Sequence, residues 1–144
     1  MNPKIFINQL DDEKIVAAIG AAESRTSGEI RVFISRHEVA DALTEAKRHF
    51  QEMGMEKTAE RNGVLIFVAP KSRAFAIVGD SGVHAKCGDV FWNETAEKMR
   101  SFFKEQKFAE GLVEGIRIAG EILARHFPRN SADRNELPDA IEGD

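Results

Sequence analysis

Gly79-Asp80-Ser81-Gly82 is the segment of this chain that carries the most chemistry in the fewest residues. Two glycines flank an acid and a hydroxyl where an apolar run ends, and a second acid, Asp89, follows downstream. In open α/β sheets, strand ends and the loops that leave them are where ligands bind. Carboxylates with loop carbonyls form the oxygen set that Ca2+ or Mg2+ takes. Asp80 and Asp89 are therefore candidate metal ligands, with Gly79, Ser81, Gly82 and His84 as candidate loop contacts. The same residues have a plainer reading, in which Asp80 caps a turn and Asp89 caps a helix.

Other constellations fall away on spacing. The GDSG sequence resembles a serine-protease nucleophile, but its following Gly-Pro is missing and no His and Asp are placed as partners. Cys87 lies close to His84, yet the arginine that a cysteine phosphatase needs six positions on is replaced by Asn93. His37-Glu38 begins a zinc-protease motif, but Asp41 stands where the second histidine belongs. His49, His84 and His126 show no ligand spacing, and there is no Walker-type phosphate loop, so no organic cofactor is expected. With no tyrosine in the chain, none can serve as nucleophile or proton donor. Trp92 and the ten phenylalanines read as core, and exposed charges such as Lys47-Arg48 and Glu56–Arg61 read as solvated faces.

The elements that position these residues follow from periodicity. Asp11-Asp12-Glu13 opens a helix with Ile15, Ala18, Ile19 and Ala22 at helical spacing. Glu29–Ser35 alternates as a strand with Ile30, Val32 and Ile34 on one face. Asp41 can cap a second helix whose stripe is Leu43, Ala46, Phe50 and Met53, with Gly54 as its stop. Val64–Ala69 is apolar on both faces and reads as a central strand covered on both sides. The short turn Pro70–Arg73 makes Ala74–Val78 its antiparallel partner. The helical link between the first two strands makes those two parallel. A third helix carries Trp92, Ala96, Met99 and Phe103, and a fourth runs from about Phe108 to His126. Its Gly111, Gly115 and Gly120 each cost helix stability and imply close packing.

The expected fold is thus a single α/β domain over residues 1–128. It is a sandwich with a mixed sheet, a parallel pair plus an antiparallel hairpin, covered by about four helices. Residues 129–144 read as an acidic C-terminal tail on the surface or disordered.

Composition bounds the rest. The chain has 144 residues, a length that suits one domain. Its formal net charge of −4 argues against nucleic acid, whose binders show a basic excess. One cysteine excludes an intramolecular disulfide. No apolar run approaches the roughly 18 residues of a membrane helix, and no secretory signal opens the chain. The expected address is the cytoplasm.

Three stretches resemble the TPM domain family, named for thylakoid-lumen, photosystem II repair and membrane-associated members. Ser27–Ile34 (SGEIRVFI) is similar to the family's first strand, and Asn62–Ala69 (NGVLIFVA) to its central strand. Ala74–Asp89 is similar to its third stretch, with Gly82 and Asp89 at matching positions and His84 where a glutamate is typical. Phe108–Ile116 resembles the closing glycine-spaced helix, so the likeness spans about residues 8–127. KTAERNGVLIF, GDSGVHAKCGD and NELPDAIEGD are most similar to a small cytosolic branch.

The resemblance implies an α/β sandwich, adds Glu29 to the candidate ligands, and brings links to divalent cations, acid phosphatase activity, photosystem repair and receptor accessory roles. The leading functional expectation is a module that binds a divalent cation (Ca2+ or Mg2+) or a protein partner. The alternative is a metal-dependent hydrolase of phosphomonoesters, with Asp80 and Asp89 on the ion and Glu29 or His84 moving protons.

Overall fold

A strand with no polar side chain must be paired at both edges and covered on both faces, and Gly63–Ala69 obtains all four. The computed structural model describes residues 12–129 and 141–144. The elements run α1 (Asp12–Glu23), β1 (Glu29–Ile34), α2 (Ala42–Glu52), β2 (Gly63–Ala69), β3 (Ala74–Gly79), α3 (Ser81–Cys87), α4 (Asp89–Lys104), α5 (Phe108–His126) and β4 (Ile141–Gly143). A 3-10 turn, Pro70–Ser72, joins β2 to β3. The sheet order is β3-β2-β1-β4. β1 is parallel to β2 and to β4, and β2 is antiparallel to β3, so the sheet is mixed as expected.

Helices cover both faces. Ile30, Val32 and Ile34 pack with Val64, Ile66 and Val68 against residues of α1, α4 and α5. The other face, with Phe33, Leu65 and Phe67, meets Ala46 and Phe50 of α2. Every residue of β1 is buried, including Glu29 and Arg31. Alternation shows which face is apolar, but a strand flanked by neighbours on both sides and covered on both faces hides its polar positions too. Arg31 reaches Glu142 of β4 from that setting. Leu43, read as part of the α2 stripe, is 47% exposed instead.

The helical glycines work by contact. A Cβ on Gly111 would lie 2.6 Å from the Phe103 ring, one on Gly115 2.5 Å from Met99 sulfur, and one on Gly120 2.6 Å from the Ala22 Cβ. They let α5 approach α4 and α1 closely, which is the packing role expected of them.

Two expectations change. The segment after β3 is a helix, α3, so at least five helices cover the sheet. The end of the expected tail is part of the sheet: Val32 pairs with Ile141 and Ile34 with Gly143. Asp144 then closes the edge, accepting bonds from the Ser35 hydroxyl (2.5 Å) and the Arg36 N–H (2.8 Å). Four residues gave no periodicity to read, and the edge is held by polar contacts that pattern does not reveal. Asp11 and residues 130–140 lie outside the described residues.

Two outcomes test this packing. Gly120→Ala presses a rigid methyl onto Ala22 and its backbone and should lower stability by roughly 1–2 kcal/mol in urea melts. Gly115→Ala meets only the flexible Met99 side chain and should be near neutral; equal losses would contradict the contact argument. At the edge, burial pushes the Asp144 carboxyl up, but the Ser35 hydroxyl, the Arg36 N–H and nearby His37 outweigh it and hold it below its ordinary value. Its contribution to stability is therefore present above pH 3.8 and lost as pH falls through the lower native value. The Arg36 amide shift should titrate with a midpoint below 3.8 and stop titrating in Asp144→Asn. A midpoint at or above that value would remove Asp144 from the anchor.

Candidate functional site

β3 runs antiparallel to β2, so it delivers its last residues to the end of the sheet where β1 and β2 begin. Val64 pairs with Gly79, and Glu29 pairs with Gly63. One step further, Asp80 N–H donates to the Gly63 carbonyl (2.9 Å), and Gly82 N–H donates to the Arg61 carbonyl (2.9 Å). The hairpin register thus sets the GDSG segment against Glu60–Gly63.

Asp80 is the hub. It is 5% exposed and caps α3, accepting from Ser81 N–H at 2.7 Å. Arg61 grips it with two charge-assisted bonds, Nε to Oδ2 at 2.8 Å and Nη2 to Oδ1 at 2.9 Å. The hydrogen bond to Asp80, then the charge of Asp80, then that of Glu56 hold the Arg61 guanidinium above its ordinary value. Arg61 itself has a left-handed backbone, φ 52°. Gly82 is required sterically, because a Cβ there would strike the Glu60 carbonyl and lie 2.7 Å from the Arg61 carbonyl. Beside it, Asn62 Nδ2 donates to Ser27 Oγ (3.1 Å), and the Ser27 hydroxyl donates to Glu60 (3.3 Å).

The remaining candidates separate. α3 stands between Asp80 and Asp89, which puts their Cα atoms roughly 13 Å apart along a helix. Asp89 is the first residue of α4, after Gly88, and not the cap itself. It faces His84 across 3.2 Å, with both side chains exposed. Glu29 is 2% exposed at the start of β1. Among the described residues, no group of three or more His, Cys, Asp or Glu side chains converges to hold a metal. Burial pushes the Cys87 thiol up, with Lys86 opposing, so the nucleophilic thiolate is disfavoured. His49 is buried and stacked 4.1 Å from Phe33, a core histidine.

Arg61 is 51% exposed, as the solvated-face reading expects, but it also pairs with Asp80, and Glu56 is only half-buried. A cleft of about 370 Å3 opens between α2 and the end of β3, lined by Lys47, Gln51, Glu56, Arg61, Gly79 and Asp80. The Oε2 atom of Glu56 is buried there with no hydrogen-bond partner among the described residues. The signal for Arg61 lay in the hairpin: a register counted outward from a short turn already opposes residues 61 and 82.

The segments meeting here are those that carried the family likeness, and a family model for the TPM domain matches residues 3–122. The chain belongs to the TPM domain family. The solution structure of BA42, from the psychrophilic bacterium Bizionia argentinensis, is similar at TM-score 0.86 and 40% identity, over 94% of this chain and 95% of that one. The N-terminal domain of cg2496 from Corynebacterium glutamicum is similar in fold at TM-score 0.62 and 17% identity, over 88% and 78%. A P. gingivalis N-terminal domain follows at 0.60 and 18%, over 79% and 76%. No curated protein matches the chain. No described helix of this TPM domain is long and apolar enough to cross a membrane.

The clamp makes a steric forecast. Gly82→Ala should cost about 1–3 kcal/mol in thermal or urea unfolding, because the carbonyls it strikes belong to the lead-in of β2. Ser81→Ala, at an exposed hydroxyl, should stay within about 0.5 kcal/mol. A tolerated Gly82→Ala would show that α3 is not pinned to Glu60 and Arg61.

Proposed function

We propose that this TPM domain, in a cytoplasmic setting, acts by binding and that the cleft beside Asp80 takes a divalent cation, Ca2+ or Mg2+. The observation that carries this is that Glu56, with one buried carboxylate oxygen unpartnered among the described residues, and Asp80 line one cleft with Gln51, in a lining that also holds Lys47 and Arg61. Arg61 occupies Asp80 in the ion's place, so a cation must compete with a guanidinium. Binding is then weak, with Kd on the order of 10⁻⁴–10⁻³ M. His84 and Asp89, at the other end of α3, form a separate surface pair.

A second reading is the hydrolysis of phosphomonoesters that the likeness to the TPM domain family implies. On this reading hydrolysis rests on a metal-activated water in the same cleft, held by Asp80 and Glu56. Phosphatase activity then requires the ion and Asp80 together, and activity that survives both EDTA and Asp80→Asn would refute this route.

Metal-free protein titrated with Ca2+ and with Mg2+ should show saturable amide shifts at Glu56, Arg61 and Gly79–Gly82. Asp80→Asn keeps a capping side chain and should abolish them. Arg61→Gln removes the competitor and should tighten binding about tenfold, the worth of one charge-assisted hydrogen bond. No shifts, or shifts confined to His84–Asp89, would remove the ion from this cleft.

A further inference from the structure

The opposite end of β2 opens into a larger cavity, about 460 Å3, between the Pro70–Ser72 turn and the junction of α4 with α5. We propose that this cavity is a second binding site, for a small organic anion with an aromatic body and a phosphate, phosphonate or carboxylate head. It stands independently of the cation cleft. The volume lies in the range of small-molecule sites, about 300–1,000 Å3. Its position, at the carboxyl end of the central strand, is where open α/β sheets bind ligands.

The lining supplies both halves of such a ligand's complement. Arg73, Arg100 and Lys104 contribute three cations, and no lining residue is acidic. That segregation occurs in a chain whose net charge is −4. Arg100 is paired with Glu97, but Arg73 and Lys104 have no carboxylate partner among the described residues. A cleft lined by one sign of charge focuses its field on a counter-ion. The apolar wall is aromatic: Phe75 and Phe103 meet edge to face at 5.3 Å, and the Arg100 guanidinium lies over Phe75 at 5.5 Å. A flat ring packs on such a wall while its acid group reaches the cations.

Backbone conformation marks the same place. Three described non-glycine residues have positive φ, and two of them, Arg73 at 50° and Gln106 at 62°, line this cavity. Glycine would adopt both conformations more cheaply. Each closes a helical turn, Arg73 after Pro70–Ser72 and Gln106 after α4, and so fixes the lip of the cavity from both sides.

The test uses phenylphosphonate, a non-hydrolysable aryl anion, titrated into the full chain with amide shifts as the readout. Saturable shifts should map to Arg73–Phe75 and Arg100–Gln106. Inorganic phosphate, lacking the ring, and benzyl alcohol, lacking the charge, should each bind at least tenfold more weakly. Arg73→Gly keeps the left-handed turn; combined with Lys104→Gln it should weaken phenylphosphonate at least tenfold while the amide spectrum away from the cavity stays that of the folded protein. Three results would each overturn the proposal. They are no saturable shift at these residues, equal affinity in the double variant, or inorganic phosphate binding as tightly as the aryl compound.

Discussion

Burial of β2 on both faces is the constraint from which the rest of this fold follows. A strand reading GVLIFVA has no polar side chain to give to water, so it needs helices above and below and a strand on each side. β1 supplies one edge in parallel, which demands a crossover, and α2 in that crossover covers one face. β3 supplies the other edge through a tight turn, and α1, α4 and α5 cover the second face. The glycines of α5 let it lie close against α4 and α1 in the helical layer over that face.

The hairpin then decides what stands at each end of the sheet. Its register brings the residues before β2 against those after β3, so an arginine and an aspartate 19 positions apart become one bidentate pair. That pair explains the glycines around it. Gly82 is small because α3 starts against two carbonyls, and Gly79 is small because Val83 and Trp92 lie over it. Much of what looks like a catalytic signature in GDSG is therefore the geometry of a strand turning into a helix under an ion-pair clamp.

Pattern alone made most of the sheet legible. The apolar runs of β1 and β2, the two-faced burial of β2 and the turn at Pro70 are local features with a direct reading in period and composition. The capping role of Asp41, which accepts from Leu43 and Thr44 N–H, was equally local. α3 escaped because seven residues opened by Gly-Asp-Ser-Gly carry turn residues and almost no apolar period. β4 escaped because three residues make a strand only when β1 offers an open edge. Among site residues, Asp80 was legible and its partner was not. Arg61 is exposed as expected, and only the hairpin register shows that its guanidinium meets Asp80.

The two ends of β2 handle charge in opposite ways. At the start of β2, Asp80 is buried and paired with Arg61, so a cation reaches it only by displacing a guanidinium. At the end of β2, Lys104 lies in the last turn of α4, where a cation also suits the helix dipole. Arg73 has no such second duty. Its backbone sits where glycine is preferred, and its side chain meets no carboxylate among the described residues. A long cation kept in a conformation that opposes it contributes nothing to this fold that glycine would not. What it adds is positive charge at the mouth of an aromatic cavity, and charge left unmatched by the protein is charge available to a ligand.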